Sequence, residues 1–125
     1  MKNPESFTVT LPWPPSTNRI WRNVVTGGKP RTLLSEDGRR YRSDVGTQCM
    51  ISRINAKQLS GRLEVSMIAY PPDNRSRDID NLIKACLDAM THAGVWVDDS
   101  QIDILSIRRG GIKKGGAMAV TFSEI

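Results

Sequence analysis

Residues 70–101 read YPPDNRSRDIDNLIKACLDAMTHAGVWVDDSQ, and their pattern decides the fold. Ile79, Leu82, Ile83, Cys86, Leu87 and Met90 recur at the helical period, and Gly94 stands where a helix hands over to a left-handed residue. Just upstream, Leu63, Val65, Met67 and Ala69 alternate with polar neighbours as one face of a strand, which Pro71 and Pro72 terminate. Just downstream, residues 102–108 form a further predicted strand.

Working outward, residues 6–11 alternate with Phe7, Val9 and Leu11 on one face and stop at Pro12, which has no amide hydrogen for a ladder. Residues 11–19, LPWPPSTNR, are expected to be a stiff polyproline-like loop flanked by Trp13 and Trp21. Each tryptophan either seals an edge of the core or stacks on a base or sugar. Residues 26–30 read as a turn and residues 32–34 as a short extended piece. Ser35 is a fitting N-cap for a long helix over residues 36–58, with an apolar stripe of Tyr41, Val45, Cys49, Met50, Ile51 and Ile54. Its Arg39, Arg40, Arg42, Arg53 and Lys57 make a solvated face that could also touch phosphates. The last strand, residues 117–123, follows turns at Gly110-Gly111 and Gly115-Gly116. The resulting order β-α-β-α-β-β is an α+β class, one domain over residues 1–125 with a mixed β-sheet and two helices.

The 125 residues, 38% hydrophobic and 25% charged, are ordinary for a globular chain, with an expected radius of gyration of about 14 Å. A monomer of that radius can grip one stretch of duplex but can hardly cut two strands at matched positions. No apolar run approaches the ~20 residues of a membrane span, and the first residues lack the pattern of a signal peptide, so no membrane partner and a cytoplasmic location are expected. Lysine and arginine total 18 against 13 acids, a net charge of +5, which favours polyanionic partners. A single histidine, His92, excludes metal sites built on several imidazoles, so any divalent ion must be held mainly by carboxylates. Cys49 and Cys86 read as small core residues.

Asp78 and Asp80, one residue apart at a strand-loop-helix junction, can aim the same way while Ile79 points inward. Lys84 follows Asp80 by four residues, which on an α-helix places the two on one face. Asp98 and Asp99 precede the strand at Ile102. If that strand packs beside residues 63–70, the second acidic pair is expected at the same end of the sheet as the first. Converging carboxylates gather a cation, and magnesium, which takes oxygen ligands, suits them. The plainer alternative is that Asp78-Ile79-Asp80 is an N-cap with helix-dipole charge and Asp98-Asp99-Ser100 a turn. Arg75, Arg77, Lys84, Arg108, Arg109, Lys113 and Lys114 around the acids favour phosphodiester hydrolysis, in which bases hold the polyanion and an ion activates water.

The motifs LPWPPSTNR, RDIDNLIKACLDAM and AGVWVDDSQ, in that order and covering nearly the whole chain, closely resemble the RusA family of Holliday-junction resolvases of phages and prophages. The resemblance implies a RusA-like fold and a homodimeric, Mg2+-dependent endonuclease, with Mn2+ able to substitute, that nicks two strands of four-way junction DNA symmetrically. It implies that Asp78, Asp80 and Asp99 are the metal-binding carboxylates and Lys84 the essential lysine. Arg77 and Asn81 match positions facing the junction, and Arg75 and Lys84 join them as candidate DNA contacts. Relatives often carry a continuous arginine run before the first aspartate, whereas Asn74 and Ser76 interrupt it here, which predicts a shallower salt dependence of DNA binding. Two rival functions are a non-catalytic junction-binding protein and a magnesium nuclease acting on flaps or nicked duplex.

Overall fold

Alternation of burial builds the sheet: Leu63, Val65, Met67 and Ala69 are buried while Glu64 and Ser66 between them face solvent. In the computed structural model, which describes residues 5–125, the chain runs β1 (Ser6–Leu11), α1 (Thr17–Ile20), β2 (Trp21–Thr26), β3 (Lys29–Leu34), α2 (Glu36–Ile51), β4 (Leu63–Tyr70), α3 (Ile83–His92), β5 (Ile102–Arg109) and β6 (Ala117–Glu124). One-turn 3₁₀ segments occupy Ile79–Leu82 and Asp99–Gln101. The main sheet has the order β1-β6-β4-β5, mixed because β4 pairs parallel with β5 and antiparallel with β6. Helices α2 and α3 cover one face, and the expected single α+β domain is what forms.

Under the helices, Val9 and Leu11 of β1, Val120 and Phe122 of β6 and the apolar side of β4 meet Val45 and Cys49 of α2 and Cys86 and Met90 of α3. Trp96 is fully buried, edge-on to Phe122 at 5.6 Å, with its indole nitrogen donating to Thr91 Oγ1 at 2.7 Å. Both cysteines are core residues, and burial pushes the Cys49 thiol up to about 11 and the Cys86 thiol up to about 12, so neither ionises at neutral pH. The Tyr41 hydroxyl donates to the Pro12 carbonyl at 3.1 Å and ties the proline-rich loop to α2. Arg42, expected on a solvated face, instead pairs with Asp88 at 2.8 Å and links α2 to α3. No helix among the described residues is long and apolar enough to cross a membrane.

Three elements differ from the sequence-based expectation. Helix α2 stops at Ile51 rather than near residue 58, because Arg53 takes φ +58° and Ile54 and Asn55 donate back to the Cys49 carbonyl, turning Ile54 into the core. The released segment then runs alongside residues 93–97, with Leu59 N donating to Val95 O and Val97 N to Leu59 O. The turn at residues 26–30 belongs to a full hairpin, β2 against β3 from Trp21↔Leu34 to Thr26↔Lys29, closed by Gly27 and Gly28 at φ +59° and +77°. A one-turn helix, α1, also interrupts the proline-rich stretch.

Gly94 is left-handed at φ +82°, as its place after α3 requires, and a Cβ there would meet Ala56 N at 3.2 Å. Gly94→Ala is expected to lower unfolding free energy by about 1–2 kcal/mol, the cost of a left-handed non-glycine residue. A urea melt with an unchanged midpoint would contradict this account of the helix end.

Candidate functional site

Proline at positions 71 and 72 ends β4, and the next residues form a loop organised by Asp73. Its carboxylate accepts from Arg75 N at 3.0 Å, pairs with Arg77 at 2.7 Å and lies 3.7 Å from Arg75 Nε. The Arg75 amide, followed by the Arg77 guanidinium, holds the Asp73 carboxyl below the usual carboxylate range. These contacts are therefore present at neutral pH and disappear as acidification protonates Asp73 through its lowered value. Arg77 also donates to the Asp73 carbonyl, stands over the Trp13 ring at 5.7 Å from its centroid, and accepts Arg109 Nη2 on its own carbonyl at 2.7 Å. Trp13 packs against Gly116, where a Cβ would come within 2.8 Å of it. Trp13 thus seals an edge and supports a guanidinium at once.

Trp13, Asp73, Arg75, Ser76, Arg77 and Leu82 are common to two adjoining hollows of about 530 and 620 Å³. Arg109 and Ile112 lie along the first, and Arg19, Asp78 and Asn81 along the second. Of the residues singled out from sequence, Arg75, Arg77, Asp78 and Asn81 therefore share one basic groove. Asp80 and Lys84 lie outside its lining, both exposed.

Asp78 sits at the N-cap position of the 3₁₀ turn in extended conformation, yet its side chain makes no capping bond. Capping alone does not explain the residue. Because residues 79–82 are 3₁₀ rather than α-helical, the four-residue spacing from Asp80 to Lys84 does not stack the pair, and Lys84 holds its ammonium 5.3 Å from the centroid of the Trp21 ring.

At the other acidic pair, the two residues divide the work. Asp98 caps the second 3₁₀ turn, accepting from Ser100 N at 3.1 Å while its own amide donates to Gln101 Oε1 at 2.7 Å. Bonding to Ser100 holds its carboxyl below the usual range. Buried Gln101 anchors this turn through Nε2 to the carbonyls of Leu59 and Gly61, both at 2.8 Å. Asp99 is left exposed, with no part in the capping box.

The two pairs do not meet. Strand β5 does pack beside β4, as expected, but in parallel, from Leu63↔Ile102 to Ala69↔Arg109. Helix α3 carries the chain back along the sheet, so Asp99 enters at the Leu63 end while Asp78 and Asp80 follow the Tyr70 end. The length of β5, roughly 25 Å at ~3.3 Å per residue, separates the two ends. Among the described residues no three His, Cys, Asp or Glu side chains gather as a metal-holding group. The expectation of three carboxylates converging within one chain is corrected accordingly.

Sequence reasoning missed Asp73, whose spacing of two and four residues from Arg75 and Arg77 was the available signal, and the supporting role of Gln101, which nothing in the sequence marks.

Comparison with known proteins agrees with the motifs. The family described as Endodeoxyribonuclease RusA matches residues 12–121. Over 120 residues, 96% of either chain, the protein is 37% identical to the crossover junction endodeoxyribonuclease RusA of Escherichia coli strain K12. It is 36% identical over the same span to the proteins of that name from Shigella sonnei and Enterobacteria phage 82. With the matched span covering nearly the whole chain, the chain belongs to the RusA endodeoxyribonuclease family.

Proposed function

We propose that this protein is a Mg2+-dependent crossover junction endodeoxyribonuclease that resolves four-way DNA junctions by symmetric paired nicks, working as a homodimer. The observation that carries this reading is that Asp78, on the lining of the groove with Arg75 and Arg77, and Asp80, two residues further on, are both exposed and enter no ion pair among the described residues. Uncompensated carboxylates repel a DNA backbone, and they belong beside one only where a cation joins them.

The donors fit a hard divalent ion, since Asp78, Asp80 and Asp99 offer carboxylate oxygen alone. When bound, Mg2+ supplies charge stabilisation at the phosphate and activation of the attacking water. The chain's own residues do the rest. Arg75 and Arg77, fixed by Asp73, hold backbone phosphates along the groove, and Asn81 adds a polar contact on the same lining. In this reading Lys84, a compact cation resting on Trp21, neutralises charge on the phosphate or leaving oxygen.

Homodimerisation supplies what one chain lacks. Strand β5 is an edge strand, and its centre is apolar and open, with Ile104 49% and Leu105 42% exposed. Asp99 stands just before its start and Arg108 and Arg109 at its end, while Asp103 is already paired with Arg62, so two copies pairing antiparallel along this edge set Asp99 against arginine at both ends. Such a twofold contact is isologous. It also brings Asp99 of one copy to the Arg109 end of the other, beside Asp78 and Asp80, completing two three-carboxylate sites.

A synthetic mobile four-way junction tests the reading. Symmetric nicks in Mg2+ that vanish with EDTA are the expected result. Tight junction binding with no nicking under any divalent ion would favour an architectural protein, and faster cutting of flaps or nicked duplex at equal concentration would favour the flap nuclease.

A further inference from the structure

The hairpin of β2 and β3 stands largely clear of the core and carries charge of one sign only. Its 14 residues from Trp21 to Leu34 contain Arg22, Lys29 and Arg31 and no acid. The register Arg22↔Leu33, Val24↔Arg31 and Thr26↔Lys29 places all three cations on one face of the ribbon. All three are exposed, and among the described residues none enters an ion pair, so their charge is open to a polyanion.

The root of the ribbon is fixed beside the site. Trp21 lies under the Lys84 ammonium, Leu34 packs against the core, and Ser35 N donates to the Ile20 carbonyl at 2.7 Å. From Arg22 to Leu33 almost every residue is exposed, including Val25 at 74%, so the ribbon projects about 20 Å, six residues at ~3.3 Å each. A two-stranded ribbon gains little stability of its own, and this one buries little. Its two adjacent left-handed glycines set a tight turn that keeps it narrow, and a ribbon of that width enters a DNA major groove.

We infer that the β2-β3 hairpin is a DNA-binding arm, its Arg22, Lys29 and Arg31 face lying on backbone phosphates of the duplex arm next to the scissile site. The ligand class is double-helical DNA, held by charge without base reading, since the polar pair on the opposite face, Thr32 and Asn23, bond each other at 3.1 Å. The inference rests on the proposed junction-cleaving function and adds a contact distant from its acids. It also offsets the interrupted arginine run by adding three phosphate partners elsewhere.

Junction affinity measured against salt tests it. Each phosphate contact contributes about 0.9 to the slope of log K against log salt. The triple variant Arg22→Ala/Lys29→Ala/Arg31→Ala is expected to lose two to three units of slope, so that wild type sheds about 40-fold more affinity than the variant between 50 and 200 mM salt. A charge-keeping variant, Arg22→Lys/Arg31→Lys, is expected to retain the wild-type slope, which separates lost charge from a collapsed ribbon. An unchanged slope in the alanine variant, with wild type binding the junction normally, overturns the arm. A wild type with no salt-dependent junction binding undoes the parent function, and the arm with it.

Discussion

Asp80→Asn is expected to cut junction nicking in Mg2+ by about 10²–10³-fold or more, the scale of losing one group that stabilises transition-state charge, while junction binding stays the same or tightens. The amide keeps the shape of the side chain and removes its charge, so it is a poor partner for a hard cation and no longer repels the backbone. Stability discriminates this role from a structural one. As the acid in the first turn before α3, Asp80 contributes at most a dipole interaction of about 0.3–1 kcal/mol at an exposed position. A variant that melts within that margin of wild type yet cannot nick has lost chemistry, not fold. Near wild-type nicking by the same variant, at any Mg2+ concentration, would remove Asp80 from the site.

Much of the fold was legible because burial follows period. Strand β1 and strand β4 have the predicted bounds, since alternation ends at a proline in each case. Helix α3 ends at His92, two residues before the left-handed Gly94 that its sequence announces. Helix α2 was overread because Ile54 continues an apolar stripe that the chain meets only after leaving the helix at Arg53. The hairpin was underread because its residues are open on both faces and so carry no alternation to detect. At the site, the arginine loop and both acidic turns stood out as residue types, but their arrangement did not. A strand, a helix and a strand in succession make a parallel crossover, which sends the second strand off from the far end of the sheet. The direction of β5, and with it the separation of Asp99 from Asp78, was thus implied by the element order, though the acids themselves gave no hint of it.

That separation gives the second large effect. Asp80→Asn and Asp99→Asn proteins, each inactive alone, are expected to recover nicking when mixed and allowed to exchange subunits. If Asp99 serves the partner's site, a mixed dimer places both substitutions in one site and leaves the other with Asp78, Asp80 and Asp99 all intact. Random exchange makes half the dimers mixed, so about one quarter of wild-type sites return. The product is as informative as the rate: a mixed dimer has one working site, so it leaves singly nicked junctions where wild type makes paired cuts. Were each site built from a single chain, every mixed dimer would hold two damaged sites and the mixture would stay silent. Silence despite demonstrated exchange would therefore exclude Asp99 as a ligand across the β5 edge, and because the sheet holds it a strand's length from Asp78 and Asp80 in its own chain, it would exclude Asp99 from the site altogether.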